Sequence, residues 1–149
     1  MFALRLTLLI HLNGIGSLEE NSIYGNRLAG VEVHHGGDPK LSGNDIFDGL
    51  ESGVFVHDQG RGTLTGNTIR KNKLSGIDIQ TGGDPSVTGN KIFEGLSYGV
   101  YITNGGRGSI SENEVYGNAA AGMCCESGSD PLIAANQVRP DGLALYHHS

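Results

Sequence analysis

Along most of the chain, apolar and polar residues alternate for three positions at a time, and the triplets return at a fixed interval. Behind each of Gly30, Gly53, Gly76, Gly99 and Gly122 stands an apolar-x-apolar run, the middle residue free to vary: Val31-Glu32-Val33, Val54-Phe55-Val56, Ile77-Asp78-Ile79, Val100-Tyr101-Ile102 and Met123-Cys124-Cys125, always 23 residues on. A second series keeps the same step. Asn21, Asn44, Asn67, Asn90, Asn113 and Asn136 are followed two residues later by Ile23, Ile46, Ile69, Ile92, Val115 and Val138. Three residues before each asparagine stand Leu18, Leu41, Leu64, Val87, Ile110 and Ile133. Each unit therefore holds three period-2 strand segments between glycine-rich corners, too short for helices. A fixed period of this length marks a solenoid.

Three short strands and tight corners in about 23 residues make one turn of a parallel β-helix, each coil stacking on the last at roughly 4.8 Å. The pattern predicts an all-β, right-handed parallel β-helix of five to six coils, its hand following the crossover rule. Stacking sets every residue above its equivalent, so the six asparagines are expected to form an internal ladder that satisfies their amides at a buried bend. Glycines suit corners that need positive φ or close backbone approach. Asp-Pro at 38–39, 84–85 and 130–131 is expected to stop a strand and fix a turn. A leucine-rich repeat would need a Leu-x-x-Leu-x-Leu run and a helical segment, and neither is present.

A two-unit rhythm lies over the single one. Gly-Gly-Asp-Pro at 36–39 returns at 82–85, and Gly60-Arg61-Gly62 returns as Gly106-Arg107-Gly108. Between 36–62 and 82–108, 15 of 27 positions are identical, which marks duplication of a coil pair. The boundaries read as a remnant of a preceding coil or an atypical cap over 1–13, repeats over 14–139 and a tail over 140–149, with His147-His148 in the tail. Leu8 and Ile10 repeat the inward pair Val54 and Val56. The apolar start, Met1 to Ile10, is not read as a signal peptide, because Arg5 interrupts it and no small-x-small site precedes Gly14. It is also too short to span a bilayer.

Composition narrows the function classes. With 149 residues the chain has room for one domain, and its 25 glycines are periodic rather than scattered as in a disordered tract. A net charge of -6 argues against nucleic acid and against a cationic membrane-surface role. The only cysteines, Cys124 and Cys125, are strand neighbours pointing to opposite faces, so no disulfide framework is expected. That fits a reducing, intracellular location, cytoplasmic or nuclear.

The run Gly-Val-Phe-Val-His-Asp-Gln-Gly-Arg-Gly at 53–62, with Asn-x-Ile and Thr-Gly-Gly-Asp-Pro, resembles the β-helix of F-box-only substrate receptors of ubiquitin ligases. More broadly, the repeat resembles those of carbohydrate-binding proteins and sugar hydrolases. The first resemblance implies a non-catalytic scaffold that binds a protein substrate. Docking to the ligase scaffold would require an F-box, and nothing before Gly14 resembles one, so the resemblance implies a fragment or short isoform. The second implies a polysaccharide hydrolase, lyase or epimerase.

Candidate chemistry sits on outward positions of the Gly-apolar-x-apolar strand. One column runs Glu32, Phe55, Asp78, Tyr101, Cys124; the next runs His34, His57, Gln80, Thr103, Glu126. Glu32 and Asp78 lie two coils apart, about 9.6 Å between backbones, near the upper separation that an inverting glycosidase uses. With His57 they form the catalytic set of the carbohydrate reading. On the scaffold reading no residue is catalytic, and Arg61, Arg107, Phe55, Tyr101, His34 and His57 are the partner-binding set. Two guanidiniums on one edge suit a carboxylate or phosphate on a partner. His34 and His57 supply only two imidazoles across one rung, so no metal site is expected, and no cofactor motif is present. A further column, Tyr24, Phe47, Arg70, Phe93 and Tyr116, reads as a stabilising ring ladder, and Asp48, Lys71 and Glu94 as a salt-bridge ladder. End coils without polar caps point to end-to-end self-association.

Overall fold

The computed structural model describes residues 3–4, 7–139 and 145–147, with side chains over 7–139. Among these the chain is all-β, wound into three parallel sheets of seven, seven and six strands. Sheet A repeats the Ser22–Tyr24 strand, sheet B the Val31–Val33 strand and sheet C the Asp38–Ser42 strand, one per coil. The register is 23 throughout the middle: Thr68 faces Asp45 and Lys91, Ile77 faces Val54 and Val100, and Ser86 faces Thr63 and Ser109. Leu8 and Ile10 join this register opposite Val31 and Val33 and pack against the core. The expected tail, 140–149, lies outside the described residues except for Leu145–His147. That strand runs beside Met123–Cys125 at a step of 22, Leu145 facing Met123.

The core is the stack of inward side chains. Ile23, Ile46, Ile69, Ile92 and Val115 come from sheet A; Val31, Val54, Ile77 and Val100, with Val33, Val56, Ile79 and Ile102, come from sheet B; Leu41, Leu64, Val87 and Ile110 come from sheet C. All are essentially fully buried. Each strand contributes the middle or the two flanking residues of its triplet, which is why the sequence alternates in threes.

At the bend from sheet C to sheet A, the asparagine side chains turn inward and link the coils. Asn44 Oδ1 accepts from the Asn21 amide at 3.0 Å and from Asn21 Nδ2 at 3.2 Å, and the pattern repeats from Asn44 to Asn67 to Asn90 to Asn113 to Asn136. Each Nδ2 from Asn44 onward also donates to the carbonyl 26 residues earlier, as Asn67 does to Leu41 at 3.0 Å. The residue before each ladder asparagine is left-handed whatever its type: Glu20, Gly43, Gly66, Gly89, Glu112 and Ala135 have φ between 54° and 69°. The backbone there must reverse within one residue to aim the amide inward.

A second ladder lies at the sheet A to sheet B corner. Asn72 Oδ1 accepts from the Gly49 amide and Asn118 Oδ1 from the Gly95 amide, both at 3.0 Å. Their Nδ2 groups donate to Ile46 and Ile92 carbonyls at 3.2 Å. Asn26 begins the series, and its Oδ1 has no partner among the described residues. Asparagine and glycine thus alternate coil by coil over Asn26, Gly49, Asn72, Gly95 and Asn118.

The corner leaving sheet B is a turn with positive φ at both central residues, the mirror-image type I′ geometry. His35 (47°) and Gly36 (76°) turn the chain so that the Gly37 N–H donates to the His34 carbonyl at 3.0 Å. Asp58 and Gln59, Thr81 and Gly82, and Asn104 and Gly105 repeat it. This turn, not Asp-Pro, ends the sheet B strand: Asp38-Pro39 opens the Asp38–Ser42 strand, its Asp38 amide already paired to the Gly14 carbonyl. The expectation that Asp-Pro stops a strand is therefore corrected. Close approach, by contrast, explains Gly53, where an added Cβ would lie 2.7 Å from Ile69 Cγ2 and 2.8 Å from the Gly76 carbonyl oxygen.

Removing one ladder amide in mid-stack, Asn67→Ala, strips the acceptor from two Asn44 donors and the donor from the Leu41 carbonyl. It should cost about 2–4 kcal/mol by urea denaturation. Asn136→Ala, at a half-buried rung, should cost clearly less. Equal losses at the two positions would show that the ladder's interior does not carry the stability assigned to it.

Candidate functional site

Sheet B presents the chain's most varied outward face, because its triplets put two side chains in and one out. Glu32, Phe55, Asp78 and Tyr101 stack along it, half-buried, in the register Glu32 to Phe55 and Asp78 to Tyr101. Two residues on, before the corner, stand His34, His57, Gln80, Thr103 and Glu126, of which Thr103 is buried.

Side chains on this face bond mainly to one another. His57 Nε2 lies 2.7 Å from Glu32 Oε1, and its Nδ1 lies 2.9 Å from Asp58 Oδ2. A ring with a carboxylate at each nitrogen can donate to both only when it holds its second proton. Gln80 Nε2 donates to Asp78 Oδ1 at 3.0 Å, and the Tyr101 hydroxyl donates to Glu126 Oε1 at 2.5 Å. Phe55 stacks on His57 at 4.2 Å between centroids, His57 on His34 at 4.9 Å and His34 on His11 at 5.3 Å. Tyr98 stacks on Tyr101 at 4.7 Å.

These surroundings move several ionisations. Burial pushes the Asp78 carboxyl up to about 6, against the opposing pull of its Gln80 bond and the nearby His57. His34 moves the other way: burial, then His57 and His35, lower it, while Glu32 opposes. The bond to Glu126 raises the Tyr101 hydroxyl. Burial also raises both thiols, which are free. Cys124 holds an outward strand position yet is buried, 1% exposed, so the reactive-looking end of that column is closed.

The expected site residues fall into two groups. Glu32, Phe55, His57, Asp78, Tyr101 and His34 share sheet B, where His57 bonds Glu32 rather than Asp78. Arg61 and Arg107 stand apart on the corner between sheets B and C, exposed, their amides paired to the Gly37 and Gly83 carbonyls at 2.8 Å. Arg61 comes only within 4.0 Å of Asp38 Oδ2. Arg107 has no ion pair among the described residues. His34 and His35 touch through their Nδ1 atoms, but no three His, Cys, Asp or Glu side chains converge as a metal set among the described residues. A hollow of about 390 Å³ lined by Ile15, Gly16, Ser17, Asp38 and Lys40 lies on sheet C, away from this face.

Sheet A carries the ring column as a structural seam. Tyr24 stacks on Phe47 at 5.1 Å, Arg70 lies 4.2 Å over Phe47, and Phe93 stacks on Tyr116 at 4.8 Å. Arg139 extends it, 4.3 Å over Tyr116. Arg70 grips Asp45 through two bonds of 2.9 Å. Of the expected salt-bridge ladder, Lys71 and Glu94 pair at 3.8 Å, and Asp48 stays outside it.

Sequence reasoning set Glu126 in an outward column without a role and left Asp58 and Tyr98 out of the site, and the signal for Glu126 was available. Glu32–His57, Asp45–Arg70, Tyr101–Glu126 and Glu114–Arg139 are all 25 residues apart. That is one coil plus one same-face step, the diagonal neighbour on a pleated sheet. Asp58 adds a sequence neighbour that the corner folds back.

A family model described as a right handed beta helix region matches residues 7–138. The chain therefore belongs to the right-handed β-helix family. Comparison with curated proteins and with solved structures finds no match.

A carboxyl raised from 3.8 to about 6 on folding penalises the folded state only once it ionises, so the penalty is absent below the unfolded value and complete above pH 6. Asp78→Asn should therefore stabilise at pH 8 by about 1–2 kcal/mol, or roughly 2–8 °C in Tm, and leave Tm at pH 3.5 unchanged. His34→Gln should show the opposite slope, gaining at pH 5 relative to pH 8, since a lowered imidazole resists the proton it would take on in the unfolded chain.

Proposed function

We propose that the chain is a non-catalytic protein-recognition scaffold that engages a protein partner through sheet B, with Arg61 and Arg107 gripping acidic or phosphorylated groups at the adjoining corner. The observation that carries this reading is the internal pairing of the face. Glu32 is bonded to His57, Asp78 to Gln80 and Glu126 to Tyr101, so the acids are held within a flat, rigid surface. The coils around it keep a 23-residue step, whereas β-solenoid clefts need insertions between coils. Half-buried rings and exposed arginines are residue types enriched at protein interfaces. The finer form of the reading is an intracellular substrate receptor like those of F-box ubiquitin ligases, which would reach its ligase through an F-box carried elsewhere.

One observation favours a second reading, carbohydrate processing. Asp78, whose carboxyl burial raises to about 6, stands on the same face as Glu32 and close to His57, two carboxyl groups on one face with one of them raised, as glycoside chemistry requires.

Immobilised chain, compared with Arg61→Ala/Arg107→Ala and Phe55→Ala/Tyr101→Ala variants and with a Lys91→Ala control on sheet A, tests the first reading by quantitative affinity capture. Partners retained by wild type and Lys91→Ala should drop roughly tenfold or more on the sheet B and corner variants. An identical partner set on all four chains removes the scaffold reading. Cleavage of a uronate or neutral polysaccharide by wild type, abolished in Glu32→Gln/Asp78→Asn, would instead establish the carbohydrate reading.

A further inference from the structure

The corner joining sheet A to sheet B carries one exposed leucine on each of four successive coils: Leu28, Leu50, Leu74 and Leu96, 47–65% exposed. They zigzag between two neighbouring columns. One holds Arg27, Leu50, Lys73 and Leu96; the other holds Leu28, Glu51, Leu74 and Ser97. Backbone bonds set this alignment: Leu50 N to Asn26 O at 2.8 Å, Lys73 N to Gly49 O at 2.9 Å and Leu96 N to Asn72 O at 3.0 Å. On the next coil both positions are alanine, Ala119 and Ala120, so the apolar edge ends there. From first leucine to last it runs about 14 Å along the stack, at roughly 4.8 Å per coil.

A third column borders it, two residues earlier in each coil: Gly25, Asp48, Lys71 and Glu94. The edge therefore bears three cations, Arg27, Lys71 and Lys73, and three anions, Asp48, Glu51 and Glu94. Its charge sums to zero on a chain of net charge -6, so the whole excess negative charge lies elsewhere. Like-charge repulsion between copies is therefore low along this edge.

We propose that the edge is the interface of an antiparallel dimer of this chain. A two-fold axis crossing it midway between the second and third of the four coils sets the first coil of one copy against the fourth of the other. Leu28 then meets Leu96 of the second copy and Leu50 meets its Leu74, each leucine settling into the gap of the zigzag opposite. Asp48 faces Lys71 of the second copy, and by symmetry Lys71 faces its Asp48. Arg27 comes within side-chain reach of the second copy's Glu94, and Glu51 of its Lys73. The contact is isologous, so each pair occurs twice. A parallel two-fold along the leucine edge would carry the columns of Asp48, Lys71 and Glu94 to opposite sides of the seam and leave them without cross-pairs, and the charges thus select the antiparallel one. The existing Lys71–Glu94 pair, 3.8 Å and half-exposed, is too weak to hold Lys71 back.

Sedimentation equilibrium of the full chain, over a series reaching about 200 μM as small interfaces require, reads the dimer directly. The mass should rise from 15.6 kDa toward twice that value. Leu50→Asp/Leu74→Asp should weaken association roughly 100-fold or more, with an unchanged melt because both side chains are exposed. Asp48→Lys alone should weaken it roughly tenfold, and Asp48→Lys/Lys71→Asp should restore it to within a few-fold of wild type. A chain that stays at 15.6 kDa throughout overturns the proposal. So does association that survives these substitutions, as end-to-end stacking would, or a charge swap that fails to restore it.

Discussion

An amide buried at the sheet C to sheet A bend has four hydrogen-bonding sites to fill, and it can fill them only from the coils beside it. Asn67 Oδ1 takes the amide and Nδ2 protons of Asn44, while its own Nδ2 reaches Asn90 Oδ1 and the Leu41 carbonyl. A coil one residue longer or shorter would take that amide out of line with its neighbours, leaving buried polar groups unpaired at a cost of about 1–3 kcal/mol each. The strict 23-residue step follows from this demand. So does the left-handed residue before each asparagine, which even Glu20, Glu112 and Ala135 adopt. Hydrophobic filling alone would tolerate a two-residue slip, which keeps the apolar face inward; a polar ladder inside the stack does not.

The same register decides where chemistry can occur. Inward positions belong to the core, so each coil offers only alternate side chains to the outside, and these meet others at offsets of 23 and 25. His57 lies between Glu32 on the coil below and Asp58 at its own corner because both offsets converge there. Asp78, one coil on, meets Gln80 and is left in partial burial without a cation bonded to it, which is why its carboxyl rises. The face is preorganised, and its polar groups are mutually committed. A surface of that kind recognises by shape and charge.

Much of this fold was legible in the chain. The Gly30 and Asn21 series fixed the period, the triplets assigned inside and outside, and the inward pair Leu8 and Ile10 extended the pattern toward the start. The corners were read less well. Leu12-Asn13 and Asp58-Gln59 adopt positive φ at both positions without a glycine, because stacking on neighbouring coils imposes a conformation that local preference does not announce. Asp38-Pro39 drew attention as a stop, yet the turn had already been completed by His35 and Gly36. Site geometry was legible in placement and not in pairing: the columns identified Glu32, His57 and Asp78, but the diagonal lean of side chains chose Glu32 as the histidine's partner. Arg61 and Arg107 were correctly set at equivalent corners, which a 46-residue repeat implies.

The alternation of Asn26, Gly49, Asn72, Gly95 and Asn118 carries a consequence for how such a molecule can change length. Asn72 and Asn118 each cap the amide of the glycine on the coil before, Gly49 and Gly95, so the closed unit is a pair of coils and not one. A gene rearrangement that inserted or lost 23 residues would set asparagine against asparagine, or glycine against glycine, at that corner. One of 46 residues would rejoin like to like. The near-copy of 36–62 in 82–108 has that spacing, as expected of a lineage that lengthens by whole coil pairs.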